Sequence, residues 1–145
     1  MSARFAAASA TGNPASLAAQ CIAALPAVDG ATLGILYTTE PAAVALPEIT
    51  QALSAHTGIR SWVGGVGLGV CSAAAEIFEE SAAVVMTAAL PPEDFRVFAA
   101  TGDPGADLPR SHAGWIAATQ PVLALVHADP RCPDVQKAAV ATAAF

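Results

Sequence analysis

Residues 31–67, ATLGILYTTEPAAVALPEITQALSAHTGIRSWVGGVG, decide the fold. Ala31–Thr38 is a continuous apolar run of strand length with no polar alternation, the pattern of a strand buried on both faces. Pro47 suits the first turn of a helix. Ile49, Ala52, Leu53 and His56 then recur on one helical face, and Gly58 supplies a left-handed C-terminal turn. Arg60–Val66 reads as a second strand. Strand, helix and strand joined by short connections make a βαβ unit, with parallel strands and a right-handed crossover.

On the N-terminal side, Asn13 followed by Pro14 predicts a helix cap and first turn. Leu17, Cys21, Ile22 and Leu25 continue at helical spacing until Pro26 stops the helix. The start, MSARFAAASATGNPAS, has one arginine and an alanine run but no leucine-rich apolar core, so it reads as a loose N-terminus and not as a signal peptide. On the C-terminal side the strand predicted at 60–66 carries on into a run of glycines that ends at Cys71-Ser72. Beyond it, Ser81–Leu90 and Asp94–Ala100 read as two strands joined by Pro91-Pro92-Glu93, hence antiparallel neighbours. Thr101–Leu108 has the composition of an exposed loop, and Asp107 with Pro109 starts a helix carrying Trp115, Ile116 and Thr119 on one face. Pro121–Ala128, PVLALVHA, reads as a fifth buried strand that delivers His127 and Asp129 to its C-terminal end, and Pro133 opens a last alanine-rich helix that runs to Phe145. The expectation is an α/β fold: a mixed sheet of about five strands with packed helices, containing a βαβ unit and a β-hairpin, in one domain over residues 1–145. The apolar end KAAVATAAF, where a domain boundary would be polar, reads as the interior of a longer protein.

Composition narrows the function. With 145 residues, 54% hydrophobic and 12% charged, the chain has an unusually apolar surface to cover, and much of the surplus is alanine. A net charge of −6, with one lysine and scattered arginines, gives no basic stripe to neutralise phosphates, so a nucleic-acid partner is not expected. No window of membrane-spanning length is free of Gly, Pro and charge, so no membrane span is expected either. Three cysteines without CxxC spacing fit reduced thiols and a cytoplasmic location.

The chemistry-bearing residues concentrate in one place. Gly64, Gly65, Gly67 and Gly69 leave room for backbone or ligand to approach, Cys71-Ser72 close the run, and Glu76 follows. The glycines are spaced neither for a dinucleotide fingerprint nor for a phosphate loop, so no cofactor is expected. Cys71 with Ser72 reads either as a ligand-lining pair or, in a second reading, as the nucleophile of a thiol hydrolase with His127 or His112 as base and Asp129 as orienter. His127 and Asp129 are two residues apart, on one face of the predicted strand. Without a third ligand in view, a metal site is not expected.

Three of these segments carry a family resemblance: the Gly-rich strand ending in Cys71-Ser72 with Glu76 behind it, the predicted hairpin with Phe95 and Phe98, and Ala128-Asp129-Pro130 after the last predicted strand. Over residues 14–135 the chain resembles the N-terminal part of a FIST domain (F-box and intracellular signal transduction). Val70 stands where related sequences usually have glycine before the Cys-Ser pair. The resemblance implies a sensory module without catalysis of its own. It would bind a small ligand such as an amino acid through Gly64, Gly65, Gly67, Gly69, Cys71, Ser72, Glu76 and Asp129, and pass the signal to a partner or to a second, C-terminal FIST portion. Lacking that portion, the chain is expected to self-associate through surfaces including Val135, Val140 and Phe145.

Overall fold

The computed structural model describes residues 4–99, 104–129, 131 and 134–143. The chain packs as two compact units, Met1–Pro91 and Pro92–Phe145.

The first unit is built on a four-stranded sheet. In chain order it has β1 (Phe5–Thr11), α1 (Pro14–Ala24), β2 (Leu33–Thr39), a 3₁₀ helix (Glu40–Ala45), α2 (Leu46–Thr57), β3 (Ser61–Gly67), β4 (Gly69–Cys71), β5 (Glu76–Phe78) and β6 (Ala82–Ala88). The spatial order is β1-β6-β2-β3, and β4 and β5 form a separate two-stranded sheet. β6 runs antiparallel to both of its neighbours, and β2 and β3 are parallel, with Leu33 opposite Ser61 and Thr39 opposite Gly67. The mixed α/β architecture, with its βαβ unit β2-α2-β3 and a hairpin, is the one the sequence pattern implies.

Local chemistry explains the helix ends. The Asn13 side-chain oxygen accepts the Ala15 N–H (3.0 Å) with Pro14 in the first turn, so α1 begins where a donor-free residue is tolerated and an orphan donor is capped. α2 ends at Gly58, whose left-handed backbone lets its N–H reach the Ser54 carbonyl. Both helices cover one face of the sheet. Leu17, Cys21, Ile49 and Leu53 meet Ala10, Leu36, Ala83 and Val85 there, all buried, and Trp62 packs against the same cluster. The Trp62 ring lies over Gly34, and its indole N–H donates to the Ile59 carbonyl (3.0 Å), tying β3 to the end of α2. On the opposite face, Val70 and Ile77 of the β4-β5 hairpin pack with Ala82, Tyr37 and Val84.

The second unit holds α3 (Pro104–Thr119) and α4 (Val135–Ala143). Between residues 92 and 99 the chain is irregular and is held to α3 by side chains. The Trp115 indole N–H donates to the Glu93 carbonyl (2.8 Å), the Arg96 guanidinium lies over the Trp115 ring (5.4 Å), and Phe98 meets the His112 ring (4.9 Å).

Four sequence expectations are corrected. The N-terminal segment is not loose: Phe5–Thr11 is an edge strand, registered on β6 from Phe5 opposite Ala88 to Thr11 opposite Ala82. Residues 94–99 form no strand. Both edges of β6 are taken by β1 and β2, which leaves no ladder for an antiparallel neighbour, so the hairpin of this fold is β4-β5 and not the predicted pair around Pro91. Pro121–Ala128 is likewise not a strand among the described residues. The described residues of its own unit form helices and irregular chain, with no second strand among them to pair with, and Gln120 leaves α3 in a left-handed conformation. The loop expected over 101–108 gives way to α3 from Pro104 onward. Ala100, Pro130, Pro133 and Phe145 lie outside the described residues.

Candidate functional site

Because β6 is antiparallel to both β1 and β2, strands β1, β2 and β3 all run the same way, and their carboxyl ends reach one edge of the sheet. At that edge Thr39 fixes the return of the chain. Its hydroxyl donates to the Glu80 carbonyl (2.6 Å) and accepts the Ala82 N–H (2.9 Å), while the Gly12 N–H donates to the Ser81 carbonyl (2.9 Å). The chain leaves β3 at Gly67, turns through Leu68 and enters the β4-β5 hairpin, so the glycine run, Cys71, Ser72 and Glu76 belong to one continuous feature at this end.

The hairpin has two unlike faces. Val70 and Ile77 point inward and are buried, whereas Cys71, Glu76 and Phe78 are exposed. Cys71 sits directly opposite Glu76, and Gly69 opposite Phe78. The Ser72 hydroxyl organises the connecting turn: it accepts the N–H groups of Ala74 (3.2 Å) and Ala75 (3.1 Å) and donates to the Ala75 carbonyl (3.3 Å), beside a backbone bond from Ser72 N–H to the same oxygen (2.8 Å). Its hydrogen-bonding capacity is thus engaged within the turn.

The four site glycines differ in what surrounds them. Gly64 has φ +141°, and a Cβ there would run into the Leu36 carbonyl oxygen across the parallel ladder. A Cβ on Gly67 would crowd the Gly69 carbonyl oxygen (2.8 Å), and one on Gly69 would meet the Phe78 ring. Gly65 alone has nothing within 4 Å of its Cβ position. It lies opposite Tyr37 in the ladder, on the sheet face away from the helices.

The remaining candidates lie in the second unit. His112 is half-buried on α3 against Phe98, and His127 and Asp129 are on the exposed irregular segment, so they do not share the face of a strand. Asp129 is engaged by Arg131, which donates from Nε (3.0 Å), Nη2 (2.8 Å) and its backbone N–H (2.9 Å). These hydrogen bonds hold the Asp129 carboxyl at about 2, well below its usual range, and raise the Arg131 guanidinium correspondingly. The structure therefore brings Cys71, Ser72 and Glu76 together with the glycine run, and places Asp129 in a local ion pair.

Sequence reading missed the Thr39 clamp. A threonine at a strand end carries no motif, and its partners, Glu80 and Ala82, are distant in sequence. Among the described residues no group of three or more His, Cys, Asp or Glu side chains is placed to hold a metal ion, and no helix is long and apolar enough to cross a membrane. No family model matches the chain, and no curated protein matches it.

Proposed function

We propose that the chain is a small-ligand-binding sensory domain of the FIST type, without catalysis of its own, acting in the cytoplasm and passing ligand occupancy to a signalling partner or to a C-terminal FIST portion. The observation that carries this reading is the convergence of the carboxyl ends of β1, β2 and β3 on the edge where the glycine run enters the Cys71-Ser72-Glu76 hairpin. Ligands of open α/β sheets bind outside the carboxyl ends of their strands. Gly65 contributes open backbone next to Tyr37, and the exposed Glu76 carboxylate suits the ammonium group of an amino acid. Gly64, Gly67 and Gly69 shape the strand that presents these groups, and Ser72 shapes the turn.

The test is a thermal-shift screen of the whole chain against amino acids and related small metabolites. A true ligand at about 100 times its Kd adds roughly 2.7 kcal/mol of stability, which raises the melting temperature of a chain this size by several degrees. The proposal requires that Glu76→Gln or Gly65→Ala reduce the ligand-induced rise while leaving the unliganded melting temperature near that of the wild type. A screen in which no amino acid or related metabolite moves the melting temperature would overturn it.

A further inference from the structure

We draw no further inference here: the strongest candidate, the apolar sheet face of the first unit opposite α1 and α2, to which Phe5, Leu33, Ile35, Val63 and Met86 belong, is covered within that unit only in part, by the β4-β5 hairpin, and nothing in the structure shows what covers the rest.

Discussion

Two neighbouring glycines, Gly64 and Gly65, have opposite tolerances. Gly64 combines a backbone that L-residues rarely adopt with a carbonyl oxygen in the path of any Cβ, so Gly64→Ala is expected to destabilise the fold by at least the roughly 1–3 kcal/mol typical of such strain. Gly65→Ala, which meets nothing, should fall within about 1 kcal/mol of wild type. Denaturant melts of the two variants check this, and equal losses would contradict the geometry. The thiols divide in the same way. Burial pushes the Cys21 thiol up from 9.0 to about 11, whereas Cys71 is exposed. Since Cys21 stays protonated in the fold while the unfolded chain ionises, its contribution is complete below pH 9. That contribution then declines as the pH rises from 9 towards 11, by on the order of 3 kcal/mol in all. Cys21→Ala should flatten the alkaline limb of the stability profile. Peptide mapping after iodoacetamide treatment of the native protein should find Cys71 modified and Cys21 intact, with Cys21 labelled only after unfolding. Modification of Cys71 at neutral pH far faster than a free thiol would favour the thiol-hydrolase reading over a binding role.

At the scale of elements, helix α1 and the β4-β5 hairpin are held by separable interactions. Asn13→Ala removes the cap of α1 and should cost about 1 kcal/mol. Ile77→Ala empties the inner face of the hairpin and should cost about 2–4 kcal/mol, with hydrogen exchange rising in 69–78 while α1 and α2 stay protected. Exchange rising equally across both helices would show that the hairpin is not an independent layer. The elements legible in the sequence were those with punctuation: Asn13-Pro14 before α1, Pro47 and Gly58 around α2, and the unbroken apolar runs of β2 and β6. The N-terminal strand was hidden because, after Phe5, FAAASAT holds only small residues, and alanine signals neither face of a strand. Pro121–Ala128 shows the converse error. A strand-like composition forms no strand without a partner edge, and edges are set by the topology, which one segment does not encode. The candidate site was half legible for the same reason. Cys71, Ser72 and Glu76 are close in sequence and close in space, whereas the part of the sheet edge contributed by β1, Thr39 and Glu80 depends on pairings between distant segments.

Across the whole molecule, apolar exposure is uneven. Every fully buried hydrophobic residue of the described chain lies in the first unit, whereas Val122, Leu123, Leu125 and Val140 of the second are between 61 and 100% exposed. An exposed set of this kind favours association, and we expect the chain to self-associate through a surface that includes Val140 and the half-buried Val135. Light scattering at rising concentration should show growing mass that Val140→Lys lowers. A monomer at high micromolar concentration, or growth indifferent to that substitution, would exclude this surface.

The order of strands across the first sheet also dictates when it can form. β6, the last of its strands to be synthesised, lies between the first two, so β1 pairs with neither β2 nor β3 and has no strand partner until the chain has been made as far as Ala88. During translation the β2-α2-β3 unit can assemble as soon as it emerges, but the backbone of β1, although covered on one face by α1, must wait unpaired for a strand from far along the chain. Folding should therefore close late and in a single step, with a rate sensitive to β6 and indifferent to the cap of α1.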